Sequence, residues 1–255
     1  MCLLTFAWRI RPDHPLIFAG NRDERHARAT EGARPWRDAP QMIAGRDLEA
    51  GGTWVGVSAS GRFAVVTNYR DGLNPPKAPR SRGSLTADFL AGDMPPARYL
   101  ETIRPHAQEY GAFSLLVGDA RELHFFSNRG GPEGLVAPGV HGLSNHLLDT
   151  PWPKVERSKV RLANLLEQDA VTNEALFRLL ADRAPAGEDA LPDTGIGREL
   201  ERQVSPPFVV NSRYGTRCST LIRLGARGLR LTERRFDQEG RALETVEFNL
   251  AGISP

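Results

Sequence analysis

The chain has 255 residues, enough for one large domain or two small ones, and its composition is that of a globular protein. Its 33 Lys and Arg residues nearly balance its 31 Asp and Glu residues, which argues against nucleic acid or a membrane surface as a partner. No apolar run approaches the ~20 residues of a membrane span, and the first residues lack the pattern of a secretory signal. Its two cysteines, Cys2 and Cys218, do not suggest a disulfide framework. We therefore expect a cytoplasmic protein with a single domain over residues 1–255.

The order of the predicted elements favours an α+β fold. Strand-like runs cover residues 2–10, 16–20, 53–58, 62–67, 113–117, 122–126, 217–224, 229–236 and 243–250. Helical patterns cover residues 84–92 with Ser84 as N-cap, a segment from Pro96, residues 154–168, and a segment capped by Thr172. Because strands and helices come in separate runs, the pattern predicts antiparallel sheets covered by helices.

Three long connections lie between these elements. Residues 24–52 and 69–83 are rich in Arg, Pro and Gly, and loops of that length usually shape a site in a compact domain. The proline-rich stretch 183–207 is expected to be the most mobile connection.

Cys2 is the first candidate for chemistry. It follows Met1, and removal of that methionine would leave a thiol and a free α-amine on one residue. The thiol is a nucleophile, and the amine titrates near ~7.7–8.0, so it can accept the thiol proton. Cys2 also shares a strand face with Leu4 and Phe6, so its side chain points toward a core-facing layer. The alternative is a small, inert core residue.

Polar residues at the ends of later strands are candidates to assist this thiol. Asp23 ends the second strand, which should bring it near Cys2, where it could orient the amine; alternatively it belongs to a solvated turn. Asn68 and Asn145 each follow a strand-like run and could donate to an oxyanion, or could cap their own backbone. Arg217 could hold a carboxylate or stabilise the thiolate, or could be a surface arginine.

Side chains next to these candidates are expected to bind substrate. These are Asn21, Arg22, Tyr69 and Arg70. The six histidines show no zinc-like spacing with Cys or carboxylates, so no metal site is expected. The chain also lacks a P-loop, a dinucleotide-binding glycine motif and a serine-hydrolase elbow.

Six short segments, spread over most of the chain, resemble one known family. They are Met1-Cys2-Leu3-Leu4-Thr5-Phe6, Asn21-Arg22-Asp23-Glu24, Gly52-Thr53-Trp54-Val55-Gly56, Thr67-Asn68-Tyr69-Arg70, Leu143-Ser144-Asn145 and Pro151-Trp152-Pro153-Lys154-Val155. This combination resembles the NRDE family, also called the transport and Golgi organisation 2 family. That family in turn resembles the cysteine N-terminal nucleophile hydrolases, which include penicillin V acylase and bile salt hydrolase.

The resemblance implies a four-layer αββα sandwich of two antiparallel sheets flanked by helices. It implies that Cys2 is the nucleophile, that Asp23 contacts its amine, and that Asn68 and Asn145 are the two amides of the site. Arg217 corresponds loosely to an arginine of those hydrolases.

Two functions follow from the resemblance. The first is hydrolysis of, or acyl transfer from, a linear amide or thioester through Cys2, with no cofactor required. The second is binding and trafficking of haem, or of an acyl-CoA or lipid, without turnover. In that case His26 and His146 are candidate axial ligands, because they lie close to the matching segments.

Overall fold

The computed structural model describes residues 2–73, 77–225 and 228–250, and its strands form two antiparallel sheets. The first sheet contains β1 (Cys2–Arg11), β2 (His14–Arg25), β10 (Gly139–Leu143), β11 (Tyr214–Gly225), β12 (Gly228–Phe236) and β13 (Ala242–Leu250). The second contains β3 (Thr30–Pro35), β4 (Met42–Asp47), β5 (Val55–Ser58), β6 (Phe63–Asn68), β7 (Phe113–Gly118), β8 (Leu123–Ser127) and β9 (Gly134–Leu135).

The described part of the chain contains five α-helices. They are α1 (Arg82–Ala91), α2 (Pro96–Ile103), α3 (Pro153–Glu167), α4 (Asn173–Leu180) and α5 (Arg198–Gln203), and two short 3₁₀ helices span Arg104–Glu109 and Glu188–Ala190. Within the described ranges, no helix combines the length and the apolarity needed to cross a membrane.

The strand order differs between the two sheets. The first sheet has the order β10-β1-β2-β11-β12-β13, so the N-terminal hairpin lies in its middle. The second sheet has the order β3-β4-β5-β6-β7-β8-β9, in which each strand pairs with its neighbour in the chain. The central position of β1 and β2 buries both strands on both faces, which explains why their apolar runs are nearly continuous.

Three hydrophobic layers hold the elements together. Phe6 and Phe18 of the first sheet pack between the sheets, in the same cluster as Val57 of the second sheet. The outer face of the second sheet packs on α1 and α2, and the outer face of the first sheet packs on α3 and α4. The predicted αββα sandwich and its α+β class are thus confirmed.

The structure corrects several sequence-based boundaries. Residues 24–52 are not one loop, because β3 and β4 form a hairpin within them. Ser81, not Ser84, caps α1, with its side chain accepting from the N–H of Gly83. The stretch 183–207 contains α5, whose Glu201 is buried. Thr172 caps α4 as predicted. Part of the predicted loop 69–83, residues 74–76, lies outside the described residues.

The start of α1 packs closely on the loop before β5. The N–H of Thr53 donates to the carbonyl of Gly83, at 3.1 Å between nitrogen and oxygen. A Cβ at Gly52 would lie 2.3 Å from the backbone carbon of Gly83, far inside van der Waals contact. Only a glycine at position 52 therefore allows the first turn of α1 to approach this loop.

We expect Gly52→Ala to lower the free energy of unfolding by about 1–3 kcal/mol, because backbone on both sides of the contact must move. Urea denaturation measures this change. Gly187→Ala is the matched control, since Gly187 has a φ of −61° and open space around it. Equal stability of the two variants would contradict the close approach.

Candidate active site

The first two strands bring Cys2 and Asp23 together. Cys2 pairs with Arg22 across the antiparallel ladder, so Asp23 lies one residue beyond the partner of Cys2. Cys2 is partly buried, and its side chain lies on the strand face of Leu4 and Phe6, which points between the sheets. The predicted proximity of Cys2 and Asp23 is therefore present in the structure.

The segment after β10 holds the backbone of Cys2 at two points. The nitrogen of Cys2 donates to Oδ1 of Asn145 at 3.2 Å, and the hydroxyl of Ser144 donates to the carbonyl of Cys2 at 2.8 Å. Asn145 is fully buried, and its Nδ2 donates to the carbonyl of Asn68 at 2.9 Å. Asn145 thus fixes the atom that becomes the α-amine once Met1 is removed.

The side-chain amides of Asn145 and Asn68 differ in how far they are engaged by the protein. The Oδ1 of Asn145 and one of its N–H groups are engaged by backbone, whereas the Asn68 side chain is exposed at the end of β6. Asn68 lines the open space next to Cys2, so it is better placed than Asn145 to donate to an oxyanion.

The surroundings of the Cys2 thiol favour its protonated form. Burial raises the pKa of Cys2, and the negative charge of Asp23 raises it further, while the backbone N–H of Asp23 donates to the sulfur and lowers it. The pKa of the thiol therefore lies above its ordinary value.

Asp23 is almost fully buried at the end of β2. The hydroxyl of Thr216 donates to its Oδ1 at 2.7 Å, and the hydroxyl of Tyr214 donates to its backbone carbonyl at 2.9 Å. Burial raises the pKa of the Asp23 carboxyl, and the positive charge of Lys154 lowers it. The carboxyl is thus fixed in orientation beside Cys2.

A cavity of about 340 Å³ opens at Cys2. We call it the basic cavity, because its walls include Arg22, Arg28, Lys77, Arg80 and Arg82, against Asp23, Glu24 and Asp47. Ser81, Arg82 and Gly83, at the start of α1, border it as well. The wall therefore carries more positive than negative charge.

Arg22 is buried in this wall. Its guanidinium stacks on the ring of Trp54, 4.2 Å from the ring centroid, and its Nη2 lies 3.8 Å from Glu24 and 3.9 Å from Asp47. These long ion-pair distances leave the Arg22 charge only partly compensated.

A second cavity of about 510 Å³ adjoins the first. We call it the apolar cavity, because its walls include Leu73, Ile196, Leu200, Val204 and Val209. Both cavities are lined by Glu24, Asn68 and Arg82, so they meet at these residues. Tyr69 and Arg70 line the apolar cavity, as expected of substrate-binding residues, although Arg70 is buried and paired with Glu201.

Asn21 does not face either of these two cavities. It is buried on the helix-facing side of β2, where Nδ2 donates to the carbonyls of Leu180 and Pro207, and Oδ1 accepts from the hydroxyl of Ser219. Both polar atoms of the Asn21 side chain are thus engaged within the protein, and its predicted role in substrate binding stays a prediction. The side chain instead ties β2 to the end of α4 and to the chain before β11.

Arg217 also lies away from the reacting atoms. It sits at an irregularity of β11, between Thr216 and Cys218, where the register with β2 shifts. Its Nη1 donates to the carbonyls of Arg25 and His26 at 3.0 and 3.1 Å. The bulge redirects the side chain toward the loop after β2, so the predicted catalytic contact is not formed.

The two histidines proposed as axial ligands are engaged in hydrogen bonds. His146 contacts the Tyr69 hydroxyl through Nε2 and the Thr150 hydroxyl through Nδ1. His26 contacts the carbonyl of Asn211 through Nε2. Metal ligation by His146 would require one of its two hydrogen bonds to break.

Sequence reasoning missed three residues around Cys2. Lys154 is buried near Asp23, Thr216 holds the Asp23 carboxyl, and Arg82 lines both cavities. Lys154 lies within one of the segments that resemble the family, but the sequence alone assigns it no role. The local signal is Pro153, which is typical of the first position of a helix and so places Lys154 in the first turn of α3.

The family model described as "Transport and Golgi organisation 2" matches residues 1–238. The chain is 34% identical to the Transport and Golgi organization 2 homolog of Mus musculus and 33% identical to that of Homo sapiens, and each match covers 98% of this chain and 99% of the relative.

Among solved structures, the fold is similar to a mutant conjugated bile acid hydrolase from Clostridium perfringens. The TM-score is 0.52 at 8% sequence identity, and the match covers 99% of this chain and 95% of that one. At this identity the likeness concerns the fold alone.

We expect Asn21→Ala to lower the free energy of unfolding by about 2 kcal/mol or more, because it removes three buried hydrogen bonds. Asn68→Ala is the matched control, because the side chain of Asn68 is exposed and should change stability by less than about 0.5 kcal/mol. Denaturation by urea measures both values. An Asn21→Ala variant as stable as the control would contradict the structural role of Asn21.

Proposed function

Because the chain belongs to the transport and Golgi organisation 2 family and has the fold of the N-terminal nucleophile hydrolases, we propose that it is a cysteine hydrolase or acyltransferase. Its substrate is a linear amide or thioester, and its nucleophile is Cys2 after removal of Met1. The observation that carries the proposal is the hydrogen bond from the Cys2 nitrogen to Asn145, at the point where Cys2 lines an open cavity.

The chemistry begins with the sulfur of Cys2. The sulfur attacks the substrate carbonyl carbon, a carbon–sulfur bond forms, and the thiol proton moves to the α-amine of the same residue. The raised pKa of the Cys2 thiol makes this base necessary, because burial keeps the thiol protonated near neutral pH. A peptide nitrogen cannot serve as this base, so the reaction depends on removal of Met1.

The tetrahedral intermediate then collapses. The bond between the carbonyl carbon and the leaving group breaks; this is a carbon–nitrogen bond in an amide and the substrate's own carbon–sulfur bond in a thioester. The ammonium of Cys2 gives its proton to the leaving group. Water then gives one proton to the same amine and attacks the acyl carbon of the thioester on Cys2. The bond between that carbon and the sulfur breaks, the sulfur takes the proton back from the ammonium, and the acid is released. An amine or thiol in place of water would give acyl transfer. Asn68 can donate to the oxyanion in both steps, since its exposed amide lines the cavity next to Cys2.

The two cavities support one orientation of substrate. An apolar acyl group fits the apolar cavity, and a polar leaving group fits the basic cavity, because both cavities meet near Cys2 at Asn68 and Arg82. This arrangement favours an amphipathic substrate whose scissile carbonyl lies between its two halves.

The apolar cavity also supports a second candidate function, binding of an acyl chain, lipid or haem without turnover. Leu73, Leu200 and Val204 supply an apolar wall that needs no chemistry at Cys2. If the protein only binds such a ligand, the wild type and Cys2→Ala should have equal affinity for it. The affinity is measured with a fluorescent fatty-acyl probe, or with haem through the change in its Soret band. The protein should form no covalent adduct.

The hydrolase proposal predicts a covalent acyl-Cys2 intermediate. Protein that begins at Cys2 is mixed with the octanoyl thioester of N-acetylcysteamine, and the acyl adduct is located by peptide mass spectrometry. We expect the adduct on Cys2 in the wild type and in Cys218→Ala, and none in Cys2→Ala. A protein that keeps residues before Cys2 should react at least about tenfold more slowly, because it lacks the amine base. Equal labelling of Cys2→Ala would rule out this mechanism.

The proposed orientation predicts chain-length selectivity. Leu200→Asp places a charge in the wall of the apolar cavity and should slow acylation by the octanoyl thioester about tenfold or more, relative to the acetyl thioester. Stopped-flow release of the thiol measures both rates. Leu243→Asp, on an exposed position of β13, is the matched control and should leave the ratio unchanged. An unchanged ratio in Leu200→Asp would contradict the orientation.

A further inference from the structure

Lys154 is a buried cation in an unfavourable place. It is 2% exposed, and it lies at the second position of α3, where the helix dipole is positive. Lysines are almost never fully buried unless they are paired with a negative charge. Its ammonium donates to the carbonyl of Val204 at 3.0 Å, but a neutral carbonyl does not offset a buried charge.

The start of α3 is fixed against the first strand. Trp152 and Val155 form a buried cluster with Leu3, the residue next to Cys2. Leu3 pairs with Asn21, so Asp23, two residues further along β2, lies on the same helix-facing side of the sheet. Lys154 is therefore held over the end of the hairpin that carries Cys2 and Asp23.

Charged and titratable groups face Lys154 from four elements. They are Cys2 on β1, Asp23 on β2, Arg70 after β6 and Glu201 on α5. Asp23 in turn faces Lys154 and Arg22. Arg70 is already committed elsewhere, since its Nη1 lies 3.3 Å from Glu201 and its guanidinium stacks on Trp152.

We propose that Lys154 is a positioning residue that keeps Asp23 ionised, so that the Asp23 carboxylate can hold the nitrogen of Cys2. This inference rests on the function proposed for Cys2. Lys154 touches no reacting atom in it; it acts through the charge of Asp23.

The pKa shifts of Asp23 and Lys154 have the directions that this pairing requires. Burial alone raises the pKa of Asp23, which favours a neutral carboxyl, and the charge of Lys154 opposes this effect. Burial lowers the pKa of Lys154 to about 8, and the charge of Asp23 raises it. Each group thus favours the charged form of the other. At pH 7 Lys154 is still mostly protonated, so its charge is present where Asp23 needs it.

The test is a titration of the Asp23 carboxyl in protein labelled with ¹³C at the aspartate side chain. The Asp23 signal is assigned by its absence in Asp23→Asn. In Lys154→Met, which keeps the shape of the side chain but removes its charge, we expect the Asp23 midpoint to rise by about one pH unit or more. Lys154→Arg should restore it. Lys159→Met, on an outer position of the same helix, is the control and should leave the midpoint unchanged.

A second readout follows acylation of Cys2 at pH 7. We expect Lys154→Met to slow it at least about tenfold and Lys154→Arg to recover most of the rate. If Lys154 only braces the carbonyl of Val204, Lys154→Met will lose stability but the Asp23 midpoint will not move, and the proposal is overturned. A raised midpoint with an unchanged acylation rate also overturns it.

Two further outcomes need their own measurements, namely a Lys154→Met variant that does not fold and a Cys2 that is not acylated. If Lys154→Met does not fold, the Lys154 midpoint is followed in Asp23→Asn instead; it should fall relative to wild type, and an unchanged midpoint overturns the pairing. If wild-type Cys2 is never acylated, the proposed function fails, and with it the positioning role, whereas a shifted Asp23 midpoint would still establish the Lys154–Asp23 interaction.

Discussion

The hydrogen bonds between β1 and β2 fix the register in which Cys2 lies opposite Arg22, and the site is arranged around that pair. A shift of one residue would turn the Cys2 side chain toward the helices and away from the space between the sheets. The register is secured by burial, because Phe6 and Phe18 must both point between the sheets. The core that stabilises the sandwich is therefore also what positions the nucleophile.

Each element next to Cys2 and Arg22 contributes one part of the site. The segment after β10 holds the Cys2 backbone through Ser144 and Asn145. The end of β6 presents Asn68 at the junction of the two cavities, and the start of α1 adds the positive charge of Arg82 to both of them. The site is thus built at one end of the sandwich, where strands of both sheets and the beginnings of two helices converge.

Much of this arrangement was accessible from sequence because it depends on short-range pairing. The first hairpin brings Cys2 and Asp23 together with only a turn between them, and alternation of side chains gives the face of Cys2. The hairpin of β3 and β4 was missed because Thr30–Pro35 contains Gly, Pro and charged residues and shows no clear alternation. Arg217 was misplaced because a strand irregularity redirects its side chain, and such a shift has no signal in a single sequence. Lys154 was overlooked because a lysine is expected to be exposed unless the tertiary structure supplies a partner.

The proposed chemistry requires that the nitrogen held by Asn145 is a free α-amine in the working protein. The mass of the intact protein, expressed without any tag and purified from cells, tests this claim most directly. We expect a chain that begins at Cys2 and is lighter by the mass of one methionine residue. A native protein that retains Met1 would contradict it, because the thiol would then have no adjacent base.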